Sequence, residues 1–157
     1  MFEAVLWFLL GAVVTNAGEW FMHKYILHVL GKHKNSLWAY HWHEHHAVCF
    51  KNNMLDEGYR RLQLQWNTQT KELLTLALIL LSQLLFINLA FWYVVGFYVS
   101  IALYYYKHRK AHLDPEWAKK YLPWHYEHHL GPYSEANWCV TWPWFDYIMG
   151  TRRKSLR

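Results

Sequence analysis

The chain has 157 residues, a length that favours a single domain. It has a formal net charge of +5 and 12 histidines, and 54% of its residues are hydrophobic. The positive charge does not indicate nucleic-acid binding, because no nucleic-acid-binding motif occurs and basic residues beside apolar segments suit an anionic membrane surface. The two cysteines, Cys49 and Cys139, are too few for a zinc finger and do not indicate a disulfide framework.

Two long uncharged segments predict membrane-spanning helices. Residues 4–18 carry no charge, and residues 73–106 carry none over 34 positions. A transmembrane helix needs about 20 apolar residues, so the first segment is extended past Glu19 to Met22. The second is long enough for a hairpin of two helices that turns near residues 87–90. The sequence therefore predicts transmembrane helices at about 4–22, 70–88 and 90–110.

The distribution of charge predicts the orientation. Every Lys and Arg lies outside the apolar segments, and the hairpin tip carries none. Three crossings place residues 23–72 and 107–157 on one side, which the positive-inside rule makes cytoplasmic. The predicted fold is an all-α integral membrane protein with a single domain over 1–157, in the bacterial inner membrane or the endoplasmic reticulum. An N-terminal helix, expected to be a retained anchor, and one hairpin support a cytoplasmic helical cap.

Proline residues and an interfacial segment predict the helices of the cap. The first helix is expected to continue to Leu30, and an interfacial helix is expected over 35–50. The second arm of the hairpin is predicted to end near Leu113, where Pro115 suits the first position of a new helix. Pro123 separates that helix from the one that contains the last histidines.

The histidines are the residues most indicative of function, and all twelve fall on the predicted cytoplasmic side or at its membrane edge. Ten of them form four groups: His23 and His28; His41, His45 and His46; His108 and His112; and His125, His128 and His129. Residues three or four apart share a helix face, and neutral imidazole is the commonest metal ligand. Ten imidazoles suit two ions, with about five each and one open position per ion.

Two details of spacing qualify this metal-site prediction. His23 and His28 are five residues apart, which is about 140° on an α-helix, a spacing that disfavours one shared ion but suits two ions at the end of the helix. His41 and His45 are four apart and are expected to share a face, with His46 beside them. His33 and His43 are expected to be surface residues. Imidazole suits iron, zinc, copper and nickel, so ligand type alone leaves the metal open.

Four carboxylates are candidates for outer partners of the ligands, because metal-bound histidine usually donates its second N–H to a carboxylate or carbonyl. Glu19 precedes His23 by four residues at membrane depth, where a carboxylate is costly and usually functional; the alternative is a solvated helix end. Glu44 and Glu127 lie among the histidines and are either outer partners or solvated. Asp146 is expected to fix the C-terminal fold or a ligand histidine.

The histidine series resembles that of the fatty acid hydroxylase/sterol desaturase superfamily of integral-membrane enzymes. Members of that family have an NYG-like motif, then a W/F-D pair and a GT. The corresponding residues here are Asn137-Trp138-Cys139, Phe145-Asp146 and Gly150-Thr151. Trp and Cys replace the usual Tyr and Gly of the first motif. The resemblance covers residues 19–151.

This resemblance implies a lipid hydroxylase or desaturase with a role in lipid biosynthesis. The ten grouped histidines would bind two iron ions, which zinc can replace in recombinant preparations, and O2 would be the co-substrate. The chain has no flavin, nicotinamide or haem-attachment motif, so a separate ferredoxin or b-type cytochrome with its reductase would supply electrons. Fatty acyl, sphingolipid, sterol and carotenoid substrates all remain open.

Three alternatives remain at this stage, the weakest of which is an inactive family member held together by zinc; the complete histidine groups argue against it. In size the chain is nearer to bacterial carotenoid hydroxylases, whose histidine motifs look similar. A histidine-rich metal-binding membrane protein, either a transporter or a sensor, is the alternative from another class. A transport path would need ligands within its spans, and residues 73–106 contain no His, Asp or Glu. This absence favours the enzyme.

Overall fold

A computed structural model describes residues 1–61 and 65–155, and within these ranges every regular element is a helix. The α-helices are α1 (Phe2–Phe21), α2 (Ala47–Lys51), α3 (Thr68–Gln83), α4 (Phe91–Leu113), α5 (Pro115–Tyr121), α6 (Pro123–Leu130) and α7 (Trp144–Ile148). A first π-helix (Met22–Leu30) continues α1, and a second π-helix (His41–His46) leads into α2. Short 3₁₀ helices occupy Glu57–Tyr59 and Leu84–Phe86. The all-helical prediction is confirmed for the described residues.

Two helices are long and apolar enough to cross a membrane, Phe2–Leu30 and Thr68–Phe86. Apolar side chains on their outer surfaces are exposed, such as Leu9 (52%) and Leu78 (60%). The third predicted crossing corresponds to α4, which has 23 residues but is less apolar because of its tyrosines and the basic residues near its end. The three-span topology therefore stays a prediction.

Helices α1 and α4 approach closely at two glycines. A Cβ atom on Gly11 would overlap the carbonyl oxygen of Tyr93, and one on Gly96 would overlap that of Phe8. Small residues at such a crossing allow helix backbones to pack closely in membranes. The first histidine of each helix, His23 or His108, follows its crossing glycine by twelve residues, a rise of about 18 Å. The crossing therefore holds the histidine-bearing ends of the two helices at one level.

The predicted boundaries around the hairpin and the prolines are confirmed. Residues 87–90 form the turn between α3 and α4. Helix α4 ends at Leu113, and the carboxylate of Asp114 accepts a hydrogen bond from the backbone N–H of Trp117 at 3.0 Å. Pro115 and Pro123 begin α5 and α6, respectively.

The predicted interfacial helix over 35–50 is wrong in its first part. Residues 35–38 form turns, and helical structure begins at residue 39. The Ser36 hydroxyl accepts a hydrogen bond from the backbone N–H of Trp38 at 3.1 Å. Local bonds of this kind, from a serine to the residue two positions later, compete with helix formation.

Candidate metal centre

All ten grouped histidines converge on one buried region at the end of the long helices. None of them is more than 8% exposed. The histidines form two groups, which we call group one (His23, His28, His41, His46 and His128) and group two (His45, His108, His112, His125 and His129). The ring nitrogens of group one lie within 4.8 Å of one another, and so do those of the last four members of group two. His45 lies within the same limit of His112 and His129.

The rings of group one form the pattern expected of five ligands around one ion. The centroid of the His28 ring lies within 5.3 Å of the other four. Among the described residues, only the His23–His46 and His41–His128 pairs of this group lack a ring contact. Five ligands that leave one octahedral position open have the same arrangement, with one ligand next to all the others and two opposite pairs.

Group two repeats this pattern. The centroid of the His112 ring lies within 5.2 Å of the centroids of the other four rings. His45 and His125 form one opposite pair, and His108 and His129 form the other, since neither pair is in ring contact in the described part of the chain. The groups adjoin through His46 and His129, whose ring centroids are 4.4 Å apart.

Several histidines have one ring nitrogen beside a hydrogen-bond acceptor outside the histidine groups. Such an acceptor determines which of the two ring nitrogens carries the hydrogen. The Nδ1 of His23 lies 2.6 Å from the carbonyl oxygen of Trp138, and the Nδ1 of His128 lies 2.7 Å from that of Ala136. The Nδ1 of His112 lies 3.1 Å from the carbonyl oxygen of Met54. A carbonyl only accepts hydrogen bonds, so each Nδ1 carries the hydrogen and each Nε2 presents a lone pair.

These lone pairs point at one another. The Nε2 atoms of His112 and His108 are 3.2 Å apart, and the Nδ1 of His108 lies 2.8 Å from a carboxylate oxygen of Glu72. The acceptors behind both rings therefore leave two unprotonated nitrogens facing each other. The Nε2 atoms of His23 and His41 are similarly close, at 3.1 Å. A cation between such nitrogens replaces repulsion with coordination.

Other buried nitrogens have no hydrogen-bond partner. They include both ring nitrogens of His129, the Nε2 of His45 and the Nδ1 of His125. An unpaired buried polar atom in a native protein needs an explanation, and an ion is one of the few available. The facing lone pairs and the unpaired nitrogens together show that these residues fit metal binding. The identity of a metal does not follow from nitrogen donors alone.

Burial keeps the imidazoles neutral. It lowers the pKa of His41, His46, His125 and His129 well below the usual value, and the neighbouring imidazoles lower it further. Burial likewise lowers the pKa of His128 to about 4. A histidine must be neutral to coordinate a metal. These five side chains are therefore ready to bind one at neutral pH.

The two π-helices explain how the histidines are divided. A π-helix forms hydrogen bonds between residues five apart, so such residues lie closer to one face of the helix than they do on an α-helix. His23 and His28 in the first π-helix, and His41 and His46 in the second, have this spacing and join group one. The expectation that a five-residue spacing disfavours one ion is therefore wrong. His45 belongs to group two instead of sharing the group of His41.

Two of the predicted carboxylates act through the backbone that carries Trp138. Glu19 accepts hydrogen bonds from the backbone N–H groups of Val140 and Thr141, each at 2.9 Å, and from the Thr141 hydroxyl. Asp146 accepts hydrogen bonds from the backbone N–H of Trp138 and that of the next residue, each at 2.9 Å. Neither carboxylate contacts a histidine ring directly. They hold the segment whose Trp138 carbonyl accepts the hydrogen bond from His23.

The other two predicted carboxylates pair with basic residues. Glu44 is exposed, and its carboxylate lies 2.7 Å from the Lys71 ammonium. Glu127 is buried and lies 2.9 Å from the Arg152 guanidinium. The structure thus places Glu44 on the surface and uses Glu127 to hold the C-terminal segment. His33 and His43 are exposed, as predicted.

Several residues at the site were not predicted from the sequence. They are Cys49, whose sulfur lies 3.4 Å from the Nδ1 of His112, and three residues that surround group two: Asp56, Tyr59 and Glu72. Glu72 had a detectable signal, because it is the last charged residue before the uncharged segment 73–106. Glu19 borders the first uncharged segment in the same way.

An apolar cavity of about 310 Å³ lies between α1, α3 and α4 and reaches His23 of group one. His23, Glu19 and Glu72 line its polar end. Further along, its walls are mainly apolar and include Leu76, Ile79, Phe97 and Ile101. A long apolar molecule could therefore lie in the cavity with one part beside group one.

Comparisons with models of known protein families, with curated proteins and with solved structures find no match for the chain. Its class is defined by its own residues. It is an all-helical protein with two helices able to span a membrane and with buried histidine clusters that could hold metal ions.

Proposed function

We propose that the protein is a membrane-bound di-iron oxidoreductase that uses O2 to hydroxylate or desaturate a C–H bond of a lipid. One observation carries this proposal: ten buried imidazoles form two adjoining groups of five beside an apolar cavity. Each group would hold one iron. Irons bound there would supply the oxidising chemistry needed to remove hydrogen from an unactivated C–H bond.

The cavity supports a lipid substrate. Its apolar walls favour a hydrocarbon chain and exclude water from the reacting end. His23 lies both in group one and in the cavity wall, so a chain in the cavity would reach the metal centre. The outer surfaces of α1 and α3 are apolar and exposed, which suits entry of a substrate from the lipid.

The reaction requires electrons from another protein. Hydroxylation consumes O2, two electrons and two protons, and yields the alcohol and water. The chain carries no motif for an electron-carrying organic cofactor, so a ferredoxin or b-type cytochrome with its reductase is the proposed donor. An acidic carrier would suit the basic face that the positive-inside rule assigns to the cytoplasm.

The geometry gives less support to a metal transporter or sensor. A transport path needs ligands at successive depths in the membrane. The ten histidines instead lie together at one end of the long helices, and residues 73–106 contain no His, Asp or Glu. The pairing of the histidine groups with an apolar cavity also has no role in ion transport.

Metal analysis of the purified full-length protein, produced with added iron, tests the proposal first. We expect about two irons per chain, and a loss of about half in the His128→Ala variant, which breaks group one. His43→Ala is the matched control, because His43 belongs to the same histidine-rich segment but is exposed. Equal metal content in all three proteins, or no bound metal, would contradict a histidine di-metal centre.

Activity is tested on iron-loaded protein in lipid vesicles with reductase, carrier and O2. Products of candidate lipids should gain one oxygen atom or lose two hydrogen atoms by mass spectrometry. Oxygen consumption should fall at least tenfold in His128→Ala and remain unchanged in His43→Ala. A protein that binds two irons but oxidises none of the fatty acyl, sphingolipid, sterol or carotenoid probes would favour a metal-handling role. A rate independent of ionic strength would count against an acidic carrier.

A further inference from the structure

The outer nitrogens of the two groups face partners of different charge. In group two, a carboxylate oxygen of Glu72 lies 2.8 Å from the Nδ1 of His108, and one of Asp56 lies 3.7 Å from the Nδ1 of His45. Both carboxylates are buried, with 7% and 8% of their residue surface exposed. In group one, the corresponding acceptors of His23 and His128 are neutral backbone carbonyls.

Glu72 is held in a fixed position against group two. Its second carboxylate oxygen accepts a hydrogen bond from the Tyr59 hydroxyl at 2.6 Å. Its two oxygens thus contact the Tyr59 hydroxyl and the His108 imidazole, which fixes the carboxylate beside group two. The ring of Tyr59 stacks on that of His112, with centroids 5.5 Å apart and an interplanar angle of 22°. Tyr59 thereby fixes both the carboxylate and the central ring of the group.

The carboxylates near group one have a weaker electrostatic effect on its ring nitrogens. Glu135 lies 3.6 Å from the Nδ1 of His28, but its side chain is 55% exposed and pairs with Lys32 at 2.6 Å. An exposed and paired carboxylate exerts a weak, screened field. Glu19 contacts backbone N–H groups. Within the described ranges, no buried carboxylate oxygen lies within 4.0 Å of a ring nitrogen of group one.

We infer that the two metal sites are not equivalent, and that group two binds its metal more tightly and is filled first. A carboxylate behind a ligand histidine makes the imidazole a better donor and attracts the cation, and loss of such a partner typically lowers metal affinity 10–100-fold. Group two has one buried carboxylate at 2.8 Å from a ring nitrogen and a second buried one at 3.7 Å, whereas group one has neutral carbonyls and one screened acid. This inference rests on the metal-binding part of the proposed function and is independent of the lipid and of O2.

Half-site variants of the full-length protein test the inference with Zn²⁺ as the probe. His28→Ala/His128→Ala leaves group two complete, and His112→Ala/His125→Ala leaves group one complete. Each is titrated with Zn²⁺ against a chromophoric chelator in detergent. We expect the protein with group two to bind Zn²⁺ at least tenfold more tightly. Equal affinities, or tighter binding by group one, would overturn the inference.

The carboxylate is tested by adding Glu72→Gln to each half-site variant. The Zn²⁺ affinity of group two should fall 10–100-fold, while that of group one should change less than threefold. Glu44→Gln is the matched control, because Glu44 is exposed and pairs with Lys71. An equal effect of Glu72→Gln on both groups would show a general loss of structure and refute its role as a positioning residue of group two.

If the half-site variants do not fold, a second measurement uses the protein with both histidine groups intact, with and without Glu72→Gln. Excess chelator should remove two Zn²⁺ ions in two phases, and Glu72→Gln should accelerate only the slower phase. Release of both ions in a single phase would overturn the inference while leaving the di-metal centre intact. A protein that binds no Zn²⁺ would refute both this inference and the metal centre on which it rests.

Discussion

Asp146 shows how a buried side chain can set the position of a candidate metal ligand without touching it. Its carboxylate is fully buried and accepts hydrogen bonds from the backbone N–H groups of Trp138 and Cys139 and from the hydroxyl of Thr151, at 2.9, 2.9 and 2.7 Å. The carbonyl of Trp138 in turn holds the Nδ1 of His23. The conformation of the C-terminal segment thereby determines the position of His23 in group one.

Replacement of this carboxylate should disturb group one more than group two. In Asp146→Asn an amide N–H would face a backbone N–H, so one buried donor would lose its acceptor. Hydrogen bonds to a charged group contribute about 1.5–3 kcal/mol, and we expect a loss of about 2 kcal/mol in the free energy of unfolding. Metal content should fall by about one ion per chain.

The control for this substitution is Asp114→Asn. Asp114 caps α5 from an exposed position, and asparagine caps helices about as well as aspartate. Its unfolding midpoint and metal content should therefore match those of the unmodified protein. Unchanged stability in Asp146→Asn, measured by thermal denaturation, would show that the carboxylate does not hold the segment.

At the scale of elements, the close crossing of α1 and α4 determines whether the histidine groups can meet. In Gly11→Ala the new Cβ would overlap the carbonyl oxygen of Tyr93 and lie 2.8 Å from the backbone nitrogen of Phe97. These are backbone atoms, so the helices must separate. Overpacking of this kind costs about 1–3 kcal/mol, and we expect a lower unfolding midpoint together with weaker metal retention.

Gly18→Ala on the same helix is the matched control. A Cβ at Gly18 meets no atom within 4 Å, and alanine favours a helix over glycine by about 1 kcal/mol. Thermal denaturation should therefore show equal or greater stability for Gly18→Ala and lower stability for Gly11→Ala. Equal behaviour of the two variants would mean that the crossing is not tight.

The helical elements were largely predictable from local patterns, but the division of the histidines was not. Proline positions and uncharged segments predict α1, α3, α4 and the breaks at Pro115 and Pro123, because these effects act within a few residues. The conversion of an α-helix to a π-helix after Phe21 has no comparable local signal. It depends on how the rings pack together, so spacing alone assigned His28 and His45 incorrectly.

The carboxylates beside group two could not be predicted from the sequence for a related reason. Glu72 and His108 lie on different helices, and Asp56 and His45 lie on opposite sides of α2 in the chain. Their contacts depend on tertiary packing rather than on sequence spacing. Glu72 falls within the predicted span 70–88 and was not singled out there, and only the structure brings it to His108.

At the scale of the whole molecule, the two histidine groups connect elements that are far apart in sequence. Group one takes ligands from both π-helices and α6, and group two takes them from the second π-helix, α4 and α6. Bound metal would therefore act as a crosslink between the cap and the long helices. In the metal-free protein, buried imidazoles of these groups make the stability of the fold dependent on pH.

The direction of this pH dependence follows from burial. In an unfolded chain histidine has a pKa of about 6.5, whereas burial lowers that of His128 to about 4 in the fold and lowers those of His41, His46, His125 and His129 in the same direction. Below pH 6.5 the unfolded chain therefore binds protons that the folded protein does not. The free energy of unfolding should fall with decreasing pH by about 1.4 kcal/mol per pH unit for each such histidine.

Thermal denaturation of the metal-free protein at pH 7 and pH 5 measures this effect. The midpoint should be lower at pH 5, and His128→Asn, which lacks one titrating ring, should show a smaller decrease. His43→Ala should behave like the unmodified protein, because His43 is exposed. The metal-loaded protein should start from a higher midpoint and also lose stability in acid, since protons compete with the metal for the same nitrogens. A midpoint independent of pH would mean that water reaches these imidazoles in the fold, and the clusters would then lack the desolvated lone pairs that a metal centre requires.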